Sequence, residues 1–485
     1  MIESISLPGL FVALSLPWLC GGIWIRWLLR RTGRCNAFIV LGQGFFLGTF
    51  FTTLVIRLWD VVGFNLNFWG IAAVVFSFST IGVLLQVLRT GPVVTRRTSE
   101  PVPSWHIAVA MLLIAFIIWR HVTLLQELLL RPLYAWDAWM NWVPKAIVWF
   151  HQGALLDFIS PEEWLQYSGD DAYTLGNRQA ISYPITVPLI QLWGMLGVGT
   201  WDHSAIYLPW LLAPLALGLA LFGHLRLAGV PFLLAVIACY LLLSLPYLNV
   251  HTVLAGYADI WVASAFGLAV CALYEYRQSR HWAYAVLLIV LALLCSQLKE
   301  PGIVLAIILL VYGTRVWCGI RPKVEFAIWS VAGIFIALAW VFGISIDMPY
   351  LGRIALESGS IELGKRGRIE LEYHNVVSSF IETFFVMINW NLLWYLVLPY
   401  VIYRICSARV IRIPPDEVLA VLGAIAFVGL IFFFSKYYVV ALNFVTLNRA
   451  LLYPIPAMIF CIFLSFQKGV SQSLSVSNGP QYFRR

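Results

Sequence analysis

The stretch Arg131-Pro-Leu-Tyr-Ala-Trp-Asp-Ala-Trp-Met-Asn-Trp-Val-Pro-Lys145 gathers one carboxylate, three indoles and two cations into a short space. Asp137 is flanked by Trp136, Trp139 and Trp142. Tryptophan favours the boundary between membrane and water, so this segment is predicted to lie along it as a short amphipathic helix. A carboxylate held there among indoles, partly out of water, gains proton affinity. That suits a general base acting on a hydroxyl. The same residues also allow a plain interfacial anchor, with Asp137 capping a helix or pairing with Lys145.

Other chemically capable residues lie further along. Trp164, Asp170-Asp171, Tyr173 and Arg178 precede Ser182-Tyr183-Pro-Ile-Thr-Val-Pro188. The aspartate pair is a metal ligand or, more commonly in a polar loop, a solvated face; no metal or other cofactor is predicted. Asp259, Lys299, Glu300 and Arg449 fall at or near the ends of apolar runs. Ionisable groups inside a bundle are costly and usually have a partner or face a cavity. Lys299-Glu300 forms a tight hairpin with Pro301 and Gly302, either as a local ion pair or as a grip on phosphate. Arginine suits that second task, because its planar fork binds phosphate bidentately and keeps its charge.

The elements that must position these groups are read from composition. Of 485 residues, 61% are hydrophobic and 11% charged, under half the roughly 25% charged residues of soluble domains. The chain is therefore predicted to be an all-α polytopic transmembrane bundle. Apolar runs place thirteen spans near 6–25, 37–57, 67–88, 104–124, 204–226, 230–248, 255–274, 282–297, 301–317, 325–346, 383–404, 416–437 and 449–467. The run from Leu7 to Ile25 is too long for a cleavable signal peptide and lacks a small-residue site after it. Ile185–Val198, short and interrupted by Pro188 and Gly194, reads as a helix lying in the interface.

Basic residues cluster in alternate loops: Arg26, Arg30, Arg31 and Arg34; Arg89, Arg96 and Arg97; Arg277 and Arg280; Arg315, Arg321 and Lys323; Arg404, Arg409 and Arg412; and the tail Arg484-Arg485. Positive charge marks the cytoplasmic side, which puts the N-terminus outside and the C-terminus inside. The net charge of +8 is thus accounted for by topology, and nucleic acid is not expected as a partner. The domain plan is N-terminal spans 1–124, an outer loop 125–203 with interfacial helices, a membrane core 204–346, a second outer loop 347–382, C-terminal spans 383–467 and a cytoplasmic tail 468–485. The second loop, with Arg353, Glu357, Glu362, Lys365, Arg366, Arg368, Glu370, Glu372 and His374, reads mainly as a solvated face. It could also meet anionic groups or close over a site, and His374 reads as structural. Neither long loop contains any of the eight cysteines, so no external disulfide is expected.

Taken in order, Trp136-Asp-Ala-Trp139, Tyr183-Pro-Ile-Thr-Val-Pro188, Gly256-Tyr-Ala-Asp259, Lys299-Glu-Pro-Gly302 and Asn448-Arg-Ala-Leu-Leu-Tyr-Pro454 resemble the GT-C glycosyltransferases. These multi-span enzymes, which include protein O-mannosyltransferases and the aminoarabinose transferase of lipid A, take sugars from polyprenyl-phosphate carriers. The resemblance covers residues from about 125 to 455. Three extra spans precede the acidic loop, which in the family's simplest members follows the first span. The resemblance implies a bacterial inner-membrane enzyme with Asp137 as general base. Trp136, Trp139, Lys145, Tyr183, Asp259, Lys299, Glu300 and Arg449 are the expected substrate-binding residues. Lys299 and Arg449 would hold the carrier phosphate, and Asp259 would orient a cation or touch the sugar. The partners implied are a polyprenyl-phosphate sugar, membrane lipids, and a glycan, lipid or protein acceptor. Rival readings are a transporter or flippase of a lipid-linked substrate, an O-antigen ligase or polymerase, and a non-catalytic assembly subunit.

Overall fold

The structure is a computed structural model and describes residues 5–88, 102–319, 322–348, 352–364, 368–407 and 413–465. Arg89, Arg96, Arg97, Arg321, Lys365, Arg366, Arg409, Arg412 and the tail 468–485 lie outside the described residues, as does the side chain of Lys323. The chain divides into two compact units, Met1–Leu310 with Leu452–Arg485, and Val311–Leu451.

The first unit opens with α1 (Leu7–Leu29), α2 (Ala37–Val61), α3 (Phe68–Leu88) and α4 (Ser104–Leu130). The side chains of Ser6 and Asn36 cap α1 and α2 by accepting from the backbone of Gly9 and Ile39, which satisfies amide groups that the first helical turn leaves open. After α4 come a π-turn (Ala138–Trp142), α5 (Val143–Gln152), β1 (Asp157–Phe158), α6 (Pro161–Trp164), β2 (Ala172–Tyr173), a 3-10 turn (Arg178–Ser182) and α7 (Thr186–Val198). Then follow α8 (Leu208–Leu227), α9 (Phe232–Leu243), α10 (Pro246–Val253), α11 (Asp259–Ser279), α12 (Trp282–Ser296) and α13 (Glu300–Cys318), the last crossing into the second unit.

The second unit holds α14 (Pro322–Phe342), then β3 (Ile344–Met348), β4 (Gly352–Glu357), β5 (Ser360–Leu363) and β6 (Arg368–Glu370), then α15 (Val377–Ile381), α16 (Leu393–Cys406), α17 (Asp416–Phe434), α18 (Tyr438–Leu442) and α19 (Val445–Leu452). A last helix, α20 (Ile455–Ser465), returns to the first unit. Among the described residues, seven helices are long and apolar enough to cross a membrane, or up to nine if α9–α10 and α19–α20 each form one bent span. The chain is a helical, multi-pass membrane protein.

Every expected span contains a helix, but several fall short of the criterion for crossing. α12 and α16 have 15 and 14 residues, and α11 carries Asp259, Glu275 and Arg277. Two expectations are corrected. The fold is not all-α, because β3 to β6 form a four-stranded antiparallel sheet in order. β3, β5 and β6 alternate apolar and polar residues, and Ser358-Gly359, with φ +84° at the glycine, closes a tight hairpin between Glu357 and Ser360. Arg353 and Arg368 pair with Glu357, and Arg353 also with Glu362, on this largely exposed surface. His374 stacks on Tyr438 with ring centroids 3.7 Å apart.

The second correction concerns α7. All but one of its side chains are buried, so it is enclosed by protein rather than lying in the interface. α1, α2, α3 and α5 all pack against it. Close helix contact in this unit depends on small residues. A Cβ on Gly48 would fall 1.7 Å from the Pro17 carbonyl oxygen, and one on Gly21 would fall 1.9 Å from that of Gly44. Gly44 and Gly48 thus form a small-xxx-small seam on α2 that lets α1 approach backbone to backbone. Replacing Gly48 with valine is expected to cost at least the ~1–3 kcal/mol typical of overpacking, read as a lowered thermal midpoint in detergent. An unchanged midpoint would mean that α1 and α2 do not pack through this seam.

Candidate functional site

The Asp137 segment owes its position to contacts on two sides. On one side is Lys145, which is 2% exposed. Its ammonium donates to the carbonyls of Ala180 and Ile181 at 3.0 Å and of Tyr183 at 3.5 Å. These carbonyls belong to the 3-10 turn and the residue that follows it, so Lys145 fastens α5 to the turn that leads into α7. Lys145 was expected to bind substrate. The correction is that its donors are committed to backbone and its side chain is enclosed. Burial pushes the Lys145 ammonium down to about 8. The same seam joins the ring of Trp142 to that of Tyr183, with centroids 5.2 Å apart, and the Asn177 amide donates to Asn141 at 2.7 Å. Tyr183 therefore serves as packing for the segment.

On the other side lies Gly256-Tyr257-Ala258-Asp259. Gly256 has φ +89°, and a Cβ there would come within 2.7 Å of the Ala138 Cβ. Only glycine fits both the backbone conformation and the approach. The backbone N–H of Asp137 donates to the Tyr257 hydroxyl at 3.2 Å, and Trp210 Nε1 donates to the Tyr257 carbonyl at 2.7 Å. Asp137 stands at the start of the π-turn, yet its carboxylate makes no capping hydrogen bond, which removes the helix-cap reading. Asp137 is half-buried, while Trp136 and Trp139 beside it are exposed by 62% and 40%. Exposed indoles at this place can face lipid, an isoprenoid chain or a sugar ring.

Asp259 begins α11 and is fully buried. Its Oδ1 accepts from Lys299 Nζ at 2.8 Å and from the Tyr453 hydroxyl at 2.7 Å. Lys299 thus pairs with Asp259 across the fold, and the local Lys299–Glu300 pair is replaced. Glu300 opens α13, where a carboxylate complements the helix N-terminus. Arg449 lies on α19 in the second unit, and its role as a phosphate ligand rests on the resemblance alone.

Two residues passed over in the sequence belong to this region. Arg57, near the end of α2, donates to Thr186 Oγ1 at 2.7 Å and to Gln297 Oε1 at 3.2 Å. Gln297 stands in the same hairpin as Lys299, and among the described residues no carboxylate pairs with Arg57. A lone arginine inside an apolar run was the available signal. Gln191 on α7 is fully buried, and neither of its amide atoms has a partner among the described residues. Its Nε2 lies 3.0 Å from where a Gly256 Cβ would be. The arrangement joins a half-exposed carboxylate, through Tyr257 and the start of α11, to a cationic hairpin. No protein-family model matches the chain, and comparisons with curated proteins and with solved structures yield no match either.

Two outcomes are expected. Because Lys145 has its ordinary value near 10.5 in the unfolded chain, that chain holds more protons than the folded one between pH 8 and 10.5, and stability rises with pH across this window. The thermal midpoint of the protein should therefore climb from about pH 7 to about pH 10 relative to that of Lys145→Met. Parallel curves for the two would show that Lys145 does not titrate in this range. Gly256→Ala should displace the Asp137 segment at a backbone cost of about 1–2 kcal/mol. Limited proteolysis would then cut faster within 131–145, and unchanged cleavage would show that the segment does not rest on Gly256.

Proposed function

We propose that this protein is a membrane glycosyltransferase of GT-C type that moves a sugar from a polyprenyl-phosphate carrier to an acceptor hydroxyl. The observation that carries the proposal is the path from the Asp137 backbone through Tyr257 to the Asp259–Lys299 ion pair. It links three of the short motifs whose order suggested the family. In the proposed reaction Asp137 takes the proton of the acceptor hydroxyl, and the freed oxygen attacks the anomeric carbon from the face opposite the phosphate. The bond from that carbon to the phosphate oxygen breaks, its electron pair stays with the phosphate, and the configuration inverts. Lys299 stabilises the charge that grows on the leaving phosphate. Trp136 and Trp139 offer faces to the sugar or the isoprenoid.

The proposed topology has thirteen spans in a bacterial inner membrane, with the N-terminus and the Asp137 loop outside and the C-terminus in the cytoplasm. Alternating loop arginines support it, since Arg26, Arg277 and Arg315 all lie in the last turns of their helices at the expected cytoplasmic ends. The sequence shows no evident internal repeat, which favours an enzyme over a transporter.

With purified enzyme and a polyprenyl-phosphate sugar, Asp137→Asn should fold normally and lose roughly 10²–10⁴-fold in transfer rate. Near-normal transfer by that variant would remove Asp137 as the base. Lys299→Gln should also lose activity, and with it stability, because Asp259 then stays buried without its cation. If Lys299→Gln kept the wild-type rate, the phosphate would have to be held by other residues.

A further inference from the structure

α4 and α9 pack together through Ala110, Leu233 and Val236. They then part where the second helix breaks. Pro246 lacks an N–H and disfavours helix in the residue before it, so the chain turns by 57° between α9 and α10. The break opens a cavity of about 240 Å³ lined by Phe116 and Arg120 of α4 and by Tyr240, Ser244 and Asn249 across from them. This cavity is separate from the Asp137 site. Arg120 stands about 15 Å before the end of α4 at 1.5 Å per residue, and the Asp137 segment begins only beyond that end.

Two features of the cavity point to an anion. Arg120 has only a long 3.5 Å contact with Thr123 Oγ1, and among the described residues no carboxylate pairs with it. Asn249, which lines the cavity, is 4% exposed, and its side-chain amide has no hydrogen-bond partner among the described residues. Two further features point to a lipid. Trp105 and Trp119, exposed by 61% and 72%, bracket the apolar part of α4. Such residues gather toward the levels of the headgroups, and Arg120 stands one turn inside the end of the apolar run 104–124, from where its long side chain reaches the headgroup region of the leaflet on the side of the Asp137 loop. Below it, Leu112 and Phe116 offer an exposed apolar flank along which acyl chains can run.

We propose that this cavity is a lateral site for the headgroup of an anionic phospholipid. Its phosphate is bound by Arg120 and Asn249, and its chains lie along α4. The proposal does not depend on the sugar-transfer reading. Arginine suits the role because its donors fork toward phosphate oxygens and its charge persists.

The test is native mass spectrometry of the whole protein in detergent, titrated with dioleoylphosphatidylglycerol or dioleoylphosphatidylcholine. One phosphatidylglycerol should be retained in preference to phosphatidylcholine. Arg120→Gln and Asn249→Leu should each weaken that retention, the former by about tenfold. Arg120→Lys should keep most of it, which separates lost charge from lost fold. Equal retention of both lipids, or undiminished retention by Arg120→Gln, would overturn the proposal. So would displacement by millimolar inorganic phosphate, which would mark a free-phosphate site. One-for-one displacement by a polyprenyl phosphate would assign the cavity to the carrier instead and would equally overturn it.

Discussion

A carboxylate with no exposure to solvent must find its partners inside the protein, and Asp259 finds two on the same oxygen. Lys299 arrives from the hairpin between α12 and α13, and Tyr453 from the chain just before α20. Taking both charges of the pair out of water is costly, and removing one partner from such a pair typically costs ~3–5 kcal/mol. The arrangement therefore tolerates little displacement. Asp259 is the first residue of α11, whose buried length runs on to Tyr276. Fixing that residue fixes the turn before it, with Gly256 against Ala138 and the Tyr257 hydroxyl under the Asp137 amide. The position of the candidate base is thus tied, through Gly256 and Tyr257, to the Asp259–Lys299 ion pair.

The two lysines of this region show how burial separates roles. Both are amines close to the candidate base in the chain or in the fold. Lys145 is enclosed and spends its donors on three backbone carbonyls, so it acts as a clasp on the loop. Lys299 retains some exposure, 15% of its side chain, and has a carboxylate partner. A loop gripped from both sides in this way can hold a side chain to the tolerance that proton transfer requires.

The membrane character was legible because apolar runs of span length are a one-dimensional signal, and a helix lies in each of them. The pairing of the Gly256–Asp259 and Lys299–Gly302 motifs with the Asp137 segment was suggested only by their order along the chain. Nothing in the sequence says that Tyr257 bridges to an amide, or that Lys299 turns toward Asp259 and away from its neighbour Glu300. Lys145 was misread because its acceptors are carbonyls, which every residue carries and which therefore leave no mark in a sequence. Arg57 was missed for the opposite reason: one charge in an otherwise apolar helix does not interrupt the pattern. Three of the sheet's four strands, β3, β5 and β6, did leave a mark, a period-two alternation, and Ser358-Gly359 marked the hairpin before β5. The dense charges on its polar face drew attention to solvation and away from that alternation.

Charge balance makes Arg57 more than an omission. Within the ion pair the charge of Lys299 is already offset by that of Asp259, so the pair alone offers an arriving phosphate a donor but little net attraction. Arg57 is held by the neutral groups of Thr186 and Gln297, and among the described residues no carboxylate offsets its charge. A carboxylate and an arriving phosphate repel one another, and a cation that no carboxylate offsets, held against the hairpin through Gln297, lowers that repulsion. Under the sugar-transfer proposal, Lys299 supplies the hydrogen bond and Arg57 supplies the field. That division explains why an arginine is kept inside a helix that otherwise has reason to exclude it.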